Sequence, residues 1–183
     1  SQLNFALVTS SSSPEELVSN LKGTEYYDPL VHLNTMEHPT LFDYEMTLDL
    51  YYFSHLWKER EKIASKKDLE QLTKAWGSKF DMLNLQWIYR SKRYYHMTSA
   101  NIYALIIPVH YRLKKYEVKT LVEEENFDAF CQLVRQTYYA KHFEQFTTET
   151  MESMYAQIMK YILSSESRNH PYSLATVYSY LYH

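Results

Sequence analysis

The stretch KFDMLNLQWIYRSKRYY, residues 79–95, decides the fold class, because its composition is helical yet it has no obvious solvent-facing side. It contains no proline or glycine, and its only β-branched residue is Ile88. On a helical projection its apolar residues form three walls: Leu83 with Trp87 and Tyr94, Leu85 with Ile88, and Met82 with Tyr89. A helix that is apolar all round is buried by its neighbours. We therefore predict a central helix with other helices packed around it.

The composition of the chain excludes several classes of protein. With 183 residues, the chain is expected to form one domain or two small ones. The longest apolar run, YALIIPV at 103–109, is far shorter than the ~20 residues that a membrane span needs, which predicts a soluble chain without direct membrane insertion. A single cysteine, Cys131, indicates a reducing compartment, and no signal peptide opens the sequence.

Glycine and tyrosine usage are both unusual. Only two glycines occur, where average usage predicts about thirteen, and this disfavours phosphate-cradling loops and dinucleotide folds. Nineteen tyrosines suit helix interfaces whose hydroxyl groups reach water, and also suit protein contacts. Residues 79–115 hold seven basic residues and one acid, a net charge of +6, while the remainder carries −9 of the total of −3. A basic middle between acidic ends is typical of a component of a larger assembly.

Helical spacing recurs nearly throughout, so the predicted fold is all-α. Ser13 and Pro14 begin a short helix that Gly23 ends, and Asp68 is predicted to cap the long central helix, which runs to about 95. The other predicted helices cover residues 41–63, 99–107, 118–125, 127–136 and 148–163, with a last one capped by Ser173.

An internal repeat relates the two ends of the chain. At an offset of 113 residues Leu17 matches Phe130, Leu21 matches Val134, Thr24 matches Thr137, Tyr26 matches Tyr139, Leu30 matches Phe143, Leu41 matches Met154, Phe42 matches Tyr155 and Leu48 matches Tyr161. At an offset of 105 Asp68 matches Ser173, Leu69 matches Leu174, Leu72 matches Val177 and Trp76 matches Leu181. Helical apolar patterns align easily, so coincidence stays an alternative. The repeat predicts one helical unit over residues 1–113 and the start of a second over 114–183.

Several spaced segments together resemble the C subunit family of V/A-type ATPases, called subunit d in the eukaryotic vacuolar enzyme. The segments are LVSNLKGTEYYDPL, YEMTLDLYYF, KFDMLNLQWIYRSKRYY and HPYSLATVYSYLYH. The resemblance covers most of residues 14–183. It implies an all-α fold of three-helix units about a pseudo-threefold axis, and it implies that this chain is a fragment of a longer protein. We expect such a fragment to dimerise or aggregate through its uncovered apolar faces.

The resemblance also implies a function. Members of this family are non-catalytic rotor subunits, without cofactors, that form a funnel-like socket between the central stalk and the membrane rotor ring. The expected partners are therefore the central-stalk subunits and the ring, and the expected location is cytoplasmic, peripheral at the inner face of the membrane. Neither the transported ion nor the direction of the enzyme, synthase or hydrolase, follows from this sequence.

The polar residues of the central helix are then expected to have two roles, one structural and one in contact with a partner. Asp81 and Asn84 are expected to be satisfied inside the fold. At the carboxyl end of the helix, Arg90, Lys92 and Arg93, with Tyr94 and Tyr95, are the candidate residues for contact with the stalk or the ring. The alternative for the basic residues is a favourable interaction with the helix dipole.

Other functions are less well supported by the residues. No metal-binding motif occurs, Cys131 lies on an apolar face without a basic neighbour, and Glu45 and Asp49 share one helix face without a facing carboxylate. YRSKRYYH interleaves basic and aromatic residues as single-strand nucleic-acid binders do, but its apolar neighbours and the acidic remainder of the chain argue against that function. A stand-alone helical scaffold for protein–protein interaction stays the main alternative.

Overall fold

The computed structural model describes residues 4–63 and 65–169, and within them every regular element is helical. The all-α prediction is therefore confirmed. The α-helices are α1 (Phe5–Thr9), α2 (Pro14–Asn20), α3 (Tyr27–Val31), α4 (Leu41–Glu59), α5 (Lys66–Arg93), α6 (Ser99–Leu105), α7 (Lys115–Glu123), α8 (Phe127–Gln136), α9 (Tyr138–His142) and α10 (Met151–Asn169). Two 3-10 turns, His32–Thr35 and Arg60–Lys62, follow α3 and α4.

The central helix α5 begins earlier than predicted. Ser65 is its N-cap, since the Ser65 hydroxyl oxygen accepts the backbone N–H of Asp68 over 3.3 Å. The prediction that Asp68 caps this helix is therefore wrong: Asp68 lies in the first turn, where its charge favours the helix dipole. The helix continues for 28 residues through Gly77 to Arg93.

Other boundaries shift by a few residues. Ser13 caps α2 and Pro14 opens it, as predicted. The helix predicted over 148–163 begins at Met151 and continues to Asn169. The helix predicted from Ser173 lies outside the described residues.

The chain divides into two compact units, residues 1–53 and 54–183. The first unit has a small core of Val18, Leu21, Leu30, Leu33 and Tyr44, formed by α2, α3, the following 3-10 turn and the beginning of α4. Tyr51 donates a hydrogen bond to the Glu25 carboxylate over 3.0 Å, and the Tyr51 and Tyr26 rings meet edge to face. The domain boundary predicted at 113 lies inside the second unit and stays a prediction.

The second unit is organised around α5, which contacts α6, α7 and α10. Met82, Leu85 and Ile88 are fully buried and belong to a core that also takes in buried residues of α6 to α10. Leu83 and Trp87, which lie on the same wall of the helix as Tyr94, are only half-buried. This wall, which also carries Arg90, is therefore the least buried side of α5.

The two copies of the proposed repeat share one local hydrogen bond. The Thr24 hydroxyl donates to the Leu21 carbonyl over 2.7 Å, and the Thr137 hydroxyl donates to the Val134 carbonyl over 2.7 Å. Each threonine follows one helix and precedes a short second one. The larger three-helix repeat stays a prediction, because the matches at Ser173, Leu174, Val177 and Leu181 lie outside the described residues.

Candidate partner-binding surface

Asp81 lies in the middle of α5 and is fully buried. Its Oδ2 accepts the backbone N–H groups of Arg112 and Leu113, over 2.6 and 2.8 Å, and the hydroxyl of Tyr139 over 2.9 Å. Its Oδ1 accepts the N–H of Tyr111 over 3.2 Å. One carboxylate therefore fixes three consecutive residues of the α6–α7 connection and ties α9 to α5.

The electrostatics of Asp81 reflect two opposed effects. Burial disfavours the charged form and raises the pKa of Asp81 to about 6, although its four hydrogen bonds favour the carboxylate and pull the pKa down. The pKa of Tyr139 lies well above its ordinary value, because of burial and then the nearby Asp81 charge. At neutral pH Tyr139 is therefore a phenol that donates and Asp81 is mainly a carboxylate that accepts.

Asn84, one turn further along α5, holds the beginning of the same connection. It donates from Nδ2 to the Ile107 carbonyl over 3.0 Å and accepts the Ile107 N–H at Oδ1 over 2.9 Å. The backbone N–H and C=O of buried Ile107 are both satisfied by one amide side chain, a pairing that apolar residues cannot supply. We call residues 107–113, held by Asp81 and Asn84, the clamped connection.

Gly77 lets the clamped connection approach α5. A Cβ atom added at Gly77 would lie 2.5 Å from Cγ and 2.7 Å from Cβ of Tyr111. Real Cβ atoms do not make contacts this short. The Tyr111 Cβ and Cγ atoms are close to the backbone, so a change of rotamer cannot relieve the clash. Only glycine fits this position while Asp81 holds the Tyr111 amide.

The carboxyl end of α5 divides its basic residues between different tasks. Lys92 donates to the carbonyls of Val122 and Glu124, over 2.8 and 2.6 Å, and thereby caps the end of α7. Ser99 donates to the same Val122 carbonyl over 3.1 Å. Burial lowers the pKa of Lys92. The Lys92 ammonium group is therefore occupied within the unit.

Arg90 and Arg93 are more exposed than Lys92. The Arg90 side chain is about half exposed and pairs with Glu152 of α10 over 2.5 Å. This hydrogen bond lowers the pKa of Glu152. Exposed pairs of this kind contribute about 0–1 kcal/mol, so Arg90 can exchange its partner at low cost.

The most accessible part of this end is formed by Arg93, Tyr94 and Tyr95, which we call the terminal patch. Tyr94 and Tyr95 are 59% and 70% exposed, unusually high values for aromatic side chains. The Arg93 guanidinium lies 5.2 Å from the centre of the Phe127 ring. Beside the patch is a cavity of about 440 Å³, lined by Lys92, Arg93, His96, Met97, Thr98, Ser99, Glu125 and Phe127. A basic edge, exposed tyrosines and a neighbouring cavity are features of protein-binding surfaces.

The cysteine and a carboxylate of α4, residue types that can carry chemistry, have local structural partners. Cys131 is half-buried against the core and accepts a weak hydrogen bond from Thr148 over 3.4 Å. Asp43 accepts the backbone N–H and the hydroxyl of Thr40, both over 2.7 Å, at the start of α4. Within residues 4–63 and 65–169, no group of three or more His, Cys, Asp or Glu residues is arranged to hold a metal ion.

Tyr139, Tyr111 and Gly77 were not identified as site residues from the sequence. Tyr139 was noted only as the partner of Tyr26 in the repeat, where each tyrosine follows a matched threonine by two positions, and that match was the available signal. Nothing in the sequence indicated that Tyr111 approaches Gly77, or that Lys92 reaches α7 across thirty residues, because both contacts depend on the tertiary fold.

Comparison with protein families gives a match over the full length of the sequence. The family model described as ATP synthase (C/AC39) subunit covers residues 1–183. Searches of curated proteins and of solved structures find no significant match. In the part of the chain that the structure describes, no helix has the length and apolar character needed to cross a membrane. The family match extends over the whole given sequence, and the chain therefore belongs to the ATP synthase (C/AC39) subunit family.

Proposed function

We propose that this protein is a non-catalytic rotor subunit that couples the central stalk of an ion-translocating ATPase to the membrane rotor ring. The observation that carries the proposal is the family match over residues 1–183, which makes the chain a subunit of an ATP synthase complex. In such a complex the protein is peripheral and binds other subunits rather than a small-molecule substrate. The coupling role and the two partners are the proposed part.

Two physical features support a coupling role. A subunit that transmits torque needs rigid internal contacts. The buried hydrogen bonds of Asp81 and Asn84 supply such contacts, because they fix the clamped connection to α5. It also needs an exposed surface for its partner, and the terminal patch supplies an arginine and two tyrosines, residue types that dominate binding energy at interfaces.

The terminal patch is proposed to contact the central stalk. Of the basic residues that accompany it, Lys92 acts from within by holding α7, and Arg90 contributes by leaving Glu152 for a partner carboxylate. This proposal combines the two interpretations of the basic end, because the same cluster stabilises the helix terminus and presents charge to a partner.

The test is co-precipitation of the full-length protein with purified central-stalk subunits at low and high salt. We expect the variant Arg93→Ala/Tyr94→Ala/Tyr95→Ala to weaken binding at least about tenfold, as loss of central aromatic and arginine contacts does. The control, Tyr52→Ala/Lys58→Ala, removes an exposed tyrosine and an exposed basic residue from α4 and should bind normally.

Three outcomes of this test are informative. Salt-sensitive binding that is lost only in the patch variant supports the proposal. Equal binding by all variants keeps a stalk contact but assigns the patch to helix-end electrostatics. If the folded wild-type protein does not bind, the coupling role is wrong and a helical scaffold with other partners is favoured.

A further inference from the structure

A second surface, separate from the terminal patch, lies between the clamped connection and α7. It is a groove of about 630 Å³ lined by Tyr103, Ile106, Pro108, His110, Lys115, Tyr116, Val118 and Lys119. This volume is within the range of protein pockets that bind ligands. We call it the α7 groove, and neither the terminal patch nor Asp81 contributes to its lining.

The floor and the sides of the α7 groove are apolar and aromatic. Ile106, Pro108 and Val118 contribute aliphatic surface, while Tyr103 and Tyr116 are 41% and 71% exposed. The backbone beneath Ile106 and Pro108 is held, because Asn84 satisfies both polar groups of the intervening Ile107. A groove whose floor is already fixed loses little conformational entropy when a partner binds.

The groove is positively charged, and only one of its two lysines is paired with a carboxylate in the part of the chain that the structure describes. No carboxylate lines it, whereas Lys115 and Lys119 do. Lys119 and Glu123 are 4.0 Å apart and both are largely exposed, a pair that contributes little. Tyr103 donates to the same Glu123 carboxylate oxygen over 3.1 Å, so Glu123 is shared by two residues of the lining. Lys115 makes no ion pair within the described residues.

His110 adds a polar group without a charge. Its Nδ1 is buried and has no hydrogen-bond partner among the described residues. Burial and then the Lys115 charge lower the pKa of His110, so the imidazole is neutral at pH 7. An unpartnered buried nitrogen is unfavourable, and a ring rotation toward the groove would let a bound segment satisfy it.

The spacing of the two lysines matches one kind of occupant. Lys115 and Lys119 are four residues apart on α7, so their ammonium groups lie on one face with an offset of about 6 Å along the helix. Carboxylates four residues apart on a second helix have the same offset. We infer that the α7 groove binds an amphipathic acidic helix of another subunit of the complex, with its apolar side chains against Tyr103, Val118 and Tyr116. This inference rests on the family membership and not on the proposed stalk contact.

The test is photo-crosslinking in the purified assembled complex. Tyr116 is replaced by p-benzoylphenylalanine, the complex is irradiated, and mass spectrometry identifies the crosslinked peptide; the same replacement at Lys66, an exposed residue of α5, is the control. We expect one adduct, to a helical segment of a different subunit that carries carboxylates four residues apart beside apolar residues. Charge reversal by Lys115→Glu/Lys119→Glu should lower the adduct yield about tenfold, while Lys115→Arg/Lys119→Arg should retain it.

Each result decides the inference. An adduct no stronger than at Lys66, an adduct to a second copy of this chain, or a yield unchanged by charge reversal overturns it. Thermal unfolding of each variant checks that the second unit is still folded, and co-precipitation with the central stalk on the same variants separates failure at this groove from failure at the terminal patch.

Discussion

The middle of α5 and its carboxyl end use polar residues in opposite ways. In the middle, Asp81 and Asn84 are fully buried, and their side chains form hydrogen bonds with the clamped connection and with Tyr139. At the end, Arg93, Tyr94 and Tyr95 are exposed; Arg93 lies over the Phe127 ring and Tyr94 meets the Tyr89 ring edge to face. Polar residues on one helix can therefore hold the fold together in its middle and remain available to a partner at its carboxyl end.

Lys92 marks the transition between the two regions. It belongs to the basic end in sequence, but its ammonium group acts as Asp81 does, by satisfying backbone groups of a neighbouring segment. The type of residue therefore does not decide its role. The deciding property is whether the side chain faces the core or the solvent at its position on α5.

The largest expected effect is the loss of the buried acceptor in the middle of α5. Asp81→Ala leaves three backbone N–H groups and the Tyr139 hydroxyl without their partner, and should lower the free energy of unfolding by about 3–5 kcal/mol. Urea denaturation measures this. Glu70→Ala, at an exposed position near the beginning of the same helix, should change stability by less than about 0.5 kcal/mol. Equal effects of the two changes would contradict the comparison.

A second change tests whether the clamped connection is held close to α5. Gly77→Ala improves helix propensity by about 1 kcal/mol but forces Tyr111 away, and the net result should be destabilisation by about 1–3 kcal/mol. In a Tyr111→Gly background, which removes both Cβ and Cγ at position 111, the same substitution should be neutral or stabilising. A double-mutant cycle by thermal unfolding measures the coupling, and additive effects would show that the connection is free to move.

The pH dependence of stability tests the charge state of Asp81. Its pKa of about 6 in the folded protein exceeds its unfolded value, so the folded state binds the proton more tightly. The contribution of this group to stability therefore increases as the pH falls from 7 toward 5, by on the order of 1 kcal/mol. We expect wild type to gain that amount relative to Asp81→Asn, which cannot titrate, in urea denaturation at both pH values. A parallel pH dependence of the two proteins would contradict the raised pKa.

The smallest effect is expected at the exposed pair near the end of α5. Arg90→Ala should cost no more than about 0.5 kcal/mol, because the pair with Glu152 is exposed and screened. Thermal unfolding at low and high salt measures it, with Glu152→Ala as the reciprocal variant. A loss of several kcal/mol from either change would place the basic end within the structural core instead of at a binding surface.

The helical periodicity was sufficient to predict the all-α fold and the burial of α5. Met82, Leu85 and Ile88 recur on several sides of that helix, and the structure surrounds them with other helices. Helix ends were less predictable, because Ser65 and Asp68 are both acceptable caps and only the backbone conformation selects between them.

The partners of the polar residues could not be predicted from the sequence. The periodicity indicated that Asp81 is enclosed, but its donors come from residues 111–113 and 139, thirty to fifty-eight positions away. Arg90, Lys92 and Arg93 looked equivalent in the sequence, and only the fold shows that α7 ends beside Lys92 and α10 beside Arg90. Which of them contacts another subunit stays a prediction.

Hydrogen exchange of the full-length protein, with and without central-stalk subunits, separates the fixed middle of α5 from its exposed end. We expect the amides of Tyr111, Arg112 and Leu113 to be protected equally in both states, because Asp81 holds them regardless of a partner. We expect exchange over residues 93–97 to slow only when the stalk is bound. Unchanged exchange over 93–97 in a stable complex, or rapid exchange at 111–113 in either state, would contradict the division of α5 into a fixed middle and a partner-binding end.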